Sequence, residues 1–473
     1  MLVLPAAMSF GVVLAGPAAA QSVIGTNQYS TVNLSNYASN TPVSITANTT
    51  IAPASGAGLL GASGAFWSIT NGGRIEAGAG DGILLNAGGQ VDNAAGGTVS
   101  ASSYGVLVKN QAGSVTNGGI IAAGYDGISL NHGGQVTNNA GGSITGSHIG
   151  VYTGYGSGSV VNSGLISART GDAVSLYTGG SLINTAAGRI IGGYSGVYAG
   201  GNGSSIQNAG IISGPSFGVY LSGASTVSNS GTIAGGVDGI IGVAAGGSVE
   251  NTGLVTGSEY GLRLAADSQV VNSGTISGGA TGVKLGSGSV LTNQAGGLIE
   301  GGAIGLQAGN ASVVHNAGTI LDNTVAAVSL GSGDALNNTG SIGGVTGIVV
   351  NGSNTSVIDT GAVASTVAGG NAIALGGGTN YLTLGTGAAI TGNINGGGTN
   401  SQIALQGTGT LGSDITNFGA GSALNVAPGA DWTASGNWTV NSVRNTGTLQ
   451  PGIPGTPLNL TGNFTQISTG TMR

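Results

Sequence analysis

The chain has 473 residues, of which 100 are Gly and none is Cys, and charged side chains make up 5% where an ordinary soluble domain carries about 25%. Eight basic residues against fifteen acidic ones exclude an electrostatic footprint for nucleic acid or an anionic membrane. The lack of cysteine excludes a disulfide framework, a thiol nucleophile and a Cys-ligated metal.

Residues 1–20 read MLVLPAAMSFGVVLAGPAAA, an apolar run closing on Ala18-Ala19-Ala20 as a cleaved secretory signal peptide does. No Lys or Arg precedes the run, which leaves the true start codon open. A membrane anchor fits less well, because the run is barely long enough and holds Pro5, Ser9 and Pro17. Residues 21–67 carry an alternating stretch, Ser44 to Ile51, and the pair Phe66-Trp67, and suit an N-terminal cap with the first turns.

From Ser68 one unit recurs through residue 352. Its register mark is the Asn at positions Asn71, Asn93, Asn117, Asn138, Asn162, Asn184, Asn208, Asn229, Asn251, Asn272, Asn293, Asn316 and Asn338, with gaps of 21 to 24 residues. A fixed period of this length marks a repeat protein. Each unit holds three stretches of period-2 alternation broken by Gly, Asn, Asp and Ser, which reads as three strands and three turns. The charged helix formers Glu, Lys and Arg are nearly absent and no helical stripe persists for two turns. The prediction is an all-β, right-handed parallel β-helix of about 22 residues per coil, its coils spaced about 4.8 Å apart. Val106, Ile128, Val151, Val197, Val219, Ile240, Val283 and Ile348 are expected to stack inward, and the Asn column is expected to be a structural amide ladder. Residues 353–416 continue as less regular coils.

From Asn417 the chain gains aromatic and Pro punctuation, and residues 417–473 read as a separate terminal module. Asn445-Thr446-Gly447-Thr448-Leu449, Pro451-Gly452, Leu458-Asn459-Leu460 and Gly462-Asn463-Phe464-Thr465-Gln466, preceded by Asn417-Phe418, Leu424, Trp432 and Trp438, resemble the end of pertactin-like autotransporter (type V secretion) passenger domains. The resemblance implies a C-terminal segment that assists folding during export, and a following outer-membrane β-barrel as partner. Such a barrel needs many alternating strands of about 10 residues, and the sequence through Arg473 contains none. Either the sequence is a fragment or the barrel is absent.

Candidate chemistry lies in two columns. The residue at the head of the third strand is Asp81, Tyr104, Asp126, Ile149, Asp172, Ser195, Phe217, Asp238 and Tyr260 in successive coils. Asp126 and Asp172 would stand about 9–10 Å apart at two strand spacings, near the separation of an inverting glycosidase pair. Asp-Gly is also an ordinary turn dipeptide. The outward column holds Tyr152, Ser175, Tyr198, Tyr220, Ile241, Arg263 and Lys284. Tyr152, Tyr198 and Tyr220 are candidates for ligand binding, although aromatic stacks also stabilise sheets by themselves. Gly214-Pro215-Ser216-Phe217-Gly218 spells a nucleophile-elbow motif, but it falls in a turn column rather than between strand and helix. His132, His148 and His315 are read as solvated turn histidines, so no metal and no cofactor is expected. The functional expectation is an exported, surface-displayed or secreted adhesin or self-associating rod without catalysis, contacting host or bacterial surface glycans or proteins. The alternative is a secreted β-helix polysaccharide hydrolase or lyase using Asp126 and Asp172.

Overall fold

A computed structural model describes residues 21–38, 41–452 and 455–473; the expected signal peptide lies outside the described residues. Short alternating segments punctuated by Gly and Asn leave no room for helical turns. Among the described residues there is no α-helix, and one 3₁₀ turn, Leu34–Asn36, interrupts the strands. The molecule is a parallel β-solenoid of about 20 turns, set about 22 residues apart, as the periodicity predicts.

Each turn adds one strand to each of three stacked faces. In successive turns the first face takes Gly113–Asn117 and Gly134–Asn138, the second Ile120–Ala123 and Ser143–Gly146, and the third Ile128–Leu130 and Val151–Thr153. Equivalent residues pair in register, as in Asn117 with Asn138, Ile121 with Ile144 and Ile128 with Val151. The inward column of the third face, including Val106, Ile128, Val151, Val197 and Val219, is fully buried. So is that of the second face, including Ile121, Ile144, Ile166, Ile190 and Ile212. Each such side chain contributes roughly 1.5–3 kcal/mol relative to exposure, so cohesion is distributed along the axis.

The corner between the first and second faces explains the uneven spacing. After Asn71, Asn117, Asn162 and Asn208 the chain turns in two residues onto the Gly that opens the second face; after Asn93, Asn138 and Asn184 it takes four. Every 24-residue gap has the longer corner, as does the 23-residue gap after Asn293. A Cβ on the closing Gly would strike backbone. At Gly210 it would lie 2.2 Å from the Gly188 carbonyl oxygen of the turn before. Glycine is needed there for close approach, with φ outside the left-handed region.

Towards the C-terminus the faces rearrange. The second face runs as sixteen strands from Thr50–Ile51 to Ala389–Thr391, and a separate four-stranded sheet then begins at Thr408–Leu411. The first and third faces merge in one ten-residue strand, Gly436–Asn445, which pairs with both Ile415–Phe418 and Ala423–Val426. Leu458–Gln466 lies parallel along it. Trp432 and Trp438 fill the interior at this merger, their indole N–H groups donating to the carbonyls of Gln406 and Ser413 at 3.2 Å.

Candidate functional site: an aromatic corner of the third face

Period-2 alternation sends every second residue of the third strand outward, and in-register stacking turns these residues into a column. Tyr152, Ser175, Tyr198, Tyr220, Ile241, Arg263 and Lys284 pair successively along it. Nine of the twelve tyrosines fall between residues 104 and 260, on this strand or the turns flanking it. The column is not freely solvated. Ser175 and Ile241 are buried, and the three tyrosines are half-buried.

The Asp-bearing column lies at the strand entrance. Asp126 is buried; its Oδ1 accepts from the Ile149 N–H at 3.1 Å and lies 3.1 Å from His148 Nδ1. Burial pushes the Asp126 carboxyl above its ordinary pKa, and the hydrogen bond and charge of His148 pull it part of the way back. The His148 ring stacks on Tyr125 at 4.8 Å, and Tyr125 meets Tyr104 edge-on at 5.2 Å. His148 is exposed in its turn, as read from the sequence, but its ring is anchored by Tyr125 and Asp126. His315 also departs from expectation, because it sits outward on the strand Val313–Asn316. His132 remains in a turn, 6.1 Å from the Tyr155 ring. Five turns further along the same column Asp238 is fully buried against Arg263, whose Nε donates at 2.9 Å, and Arg263 and Lys284 both lie over the Tyr260 ring, at 5.0 and 5.5 Å.

Asp172 is different. Ile149 and its turn separate it from Asp126, so the two carboxyls are not brought into contact. Burial raises its pKa, with hydrogen bonding to Ser195 and the charge of His148 opposing. Its Oδ1 is buried without a hydrogen-bond partner. Asp172, Tyr194, Ser195, Tyr198 and Tyr220 line a niche of about 350 Å³. The Tyr198 and Tyr220 rings are 5.6 Å apart and within 15° of parallel, Phe217 packs on Tyr220 at 5.4 Å, and Tyr194 meets Phe217 edge-on at 5.6 Å. Two of the three candidate tyrosines thus meet one of the two candidate aspartates. Tyr152 stands apart, its ring 6.0 Å from Tyr177. Sequence reasoning missed Tyr194, which sits in the corner just ahead of the strand. A larger depression of about 550 Å³ between the third and first faces is lined chiefly by Gly and Ser.

Comparison with protein-family models, with curated proteins and with solved structures found no match to this chain. What the site can do therefore follows from its own geometry. Among the described residues no three His, Asp or Glu side chains converge as a metal site would require.

The Asn column lies inside the first corner. Every asparagine from Asn71 to Asn316 donates Nδ2 to Oδ1 of the next one at 2.7–2.9 Å. Each also donates to a corner or second-face carbonyl, as Asn208 does to Gly210 and Thr232, and all are buried. Asn338 donates at 2.7 Å to Asp359, a carboxyl in the amide position. Sequence reading ended the column at Asn338 because the residue type changes. Gly361, two residues after Asp359 as in the shorter corners, was the available signal.

Proposed function

We propose that this chain is a non-catalytic exported passenger of the autotransporter kind, acting at the cell surface as an adhesin or self-associating rod. The observation that carries the reading is the long aromatic corner of the third face, laid on a solenoid whose turns stay close to one length. Such a surface suits broad, multivalent contact, in which many weak sites add through effective concentration. The terminal resemblance supports export. Its Asn445 and Gln466 are cross-strand neighbours, the amide of one donating to the other at 3.1 Å. The partners are glycans or proteins of host or bacterial surfaces, or a second copy of the chain.

The test is adhesion and autoaggregation of cells displaying the chain. Contact spread over many turns should survive Tyr198→Ala with less than about a twofold loss. It should also change little between low and high salt, since so few exposed charges are available to be screened. Abolition of adhesion by that one substitution would sink the distributed version. A second reading, a polysaccharide hydrolase or lyase, is favoured by the Asp172 carboxyl in its niche, with Oδ1 lacking a donor, and the Asp126–His148 pair. It predicts release of reducing sugar that Asp126→Asn abolishes.

A further inference from the structure

Along the strand-entrance column, Ser195 falls between Asp172 and Phe217, with Ile149 one turn beyond Asp172. A small side chain among bulky ones leaves a gap. Ser195 is buried at its base, and Asp172, Tyr194, Tyr198 and Tyr220 close its sides. At about 350 Å³ the gap lies at the small end of ligand sites, a fit for one six-membered ring rather than an extended chain. The walls are held in place. The Tyr198 hydroxyl lies 3.2 Å from Ser222 Oγ, and the Tyr220 ring packs on both Tyr198 and Phe217, so little side-chain freedom remains to be lost on binding.

The lining selects by chemistry. Tyrosine offers an apolar ring with a polar tip, which matches a molecule with one C–H face and a rim of hydroxyls. Asp172 lines the niche with a carboxyl whose buried Oδ1 has no donor, and a sugar hydroxyl donated to the carboxyl makes a charge-assisted bond. No Lys or Arg lines the niche, so an anionic group would meet the carboxyl unopposed. A quaternary ammonium needs ring faces converging on one point. Here Tyr198 and Tyr220 are near-parallel, and the cations found on aromatic faces of this strip, Arg263 and Lys284, sit on Tyr260 outside the niche. We infer that the Asp172–Tyr194–Ser195–Tyr198–Tyr220 niche is a subsite for one uncharged pyranose unit of a surface glycan. The inference rests on the adhesin reading and gives it a class of receptor.

The experiment titrates the full chain with neutral gluco-, manno-, galacto- and N-acetylglucosamine oligosaccharides, with choline and an oligouronate in parallel, by calorimetry or ligand-observed NMR. At least one neutral series should bind saturably and better than choline or uronate. Asp172→Asn and Tyr198→Ala should each weaken that binding by about tenfold. Ser195→Ile should do so at least as strongly by filling the gap, in a column that already holds Ile149 and Phe217. Tyr381→Ala, far along the solenoid, should leave it unchanged. Tyr198→Ala, at a half-exposed position, decides the matter if Ser195→Ile disturbs the fold. Absence of neutral-sugar binding, preference for choline or uronate, or undiminished binding by Tyr198→Ala would overturn the subsite. Adhesion by displaying cells is read separately. Adhesion without oligosaccharide binding removes only the subsite, whereas oligosaccharide binding without adhesion removes the adhesin reading.

Discussion

A buried carboxyl at the end of an amide column is poorly placed to be ionised at neutral pH. Asp359 Oδ1 accepts from Asn338 and from the Gly361 N–H, while Oδ2 is buried with no donor, and the next residue in the column is Leu384. Burial raises its pKa from 3.8 to about 6. Between those values the folded chain holds a proton that the unfolded chain has released, so stability falls as pH rises through that window. By pH 7 the loss is about 3 kcal/mol at 1.4 kcal/mol per unit. Hydrogen exchange of amides in residues 338–384 should therefore be faster at pH 7.5 than at pH 4.5 beyond the intrinsic effect of pH. Asp359→Asn should remove the excess; an excess that persists in the variant would refute the assignment. Within the ladder, Asn208→Ala leaves the Asn229 Oδ1 without the amide donor it has and costs Asn184 its Oδ1 acceptor. A loss of about 2–4 kcal/mol is expected from the two orphaned groups, read as a lower urea midpoint. The thirteen asparagines were legible because identity repeats; the fourteenth position was not, because a buried acid breaks the identity while keeping the place.

At the scale of the element, strand positions were readable because side chains alternate with period 2 and each misplacement would turn an apolar residue outward. The irregular gaps were visible too, but their cause was not, since a two-residue and a four-residue corner differ only in what separates Asn from the closing Gly. Glycine is expected where φ must be positive. At Gly210 the requirement is instead a carbonyl 2.2 Å from where Cβ would be, and only the packed neighbour reveals it. The niche was half legible for a similar reason. Tyr198 and Tyr220 lie on the alternating strand, whereas Tyr194 lies in a corner whose direction no periodicity specifies. The corner account makes a prediction. Deleting Ala140 and Gly141 converts the four-residue corner after Asn138 into Asn138-Asn139-Gly142, the form found after Asn117. The variant should fold with a melting midpoint within a few degrees of the parent. Inserting one residue between Val136 and Asn138 should instead invert the faces and abolish cooperative melting, monitored by circular dichroism.

For the whole molecule, turns that touch chiefly their neighbours make stability nearly additive along the axis. About 20 turns at the strand spacing give a rod of roughly 100 Å. The merged strand Gly436–Asn445 with its buried Trp438, and Trp432 on the neighbouring strand, end the three-faced pattern. Within that pattern the amide ladder has a property of inheritance. Each asparagine's partner is a copy of itself, so a gene that loses one whole repeat loses no bond type, and the protein's reach becomes a matter of copy number. Deleting Ser230–Asn251 joins Asn229 to Thr252-Gly253, rebuilds the short corner and sets Asn229 beside Asn272. It also brings Arg263 next to Tyr220, as Arg263 already sits by Tyr260. That shortened chain should fold, melt within a few degrees of the parent and scatter as a rod about 4.8 Å shorter. Lineages carrying this architecture can thus lengthen or shorten their reach in whole-turn steps.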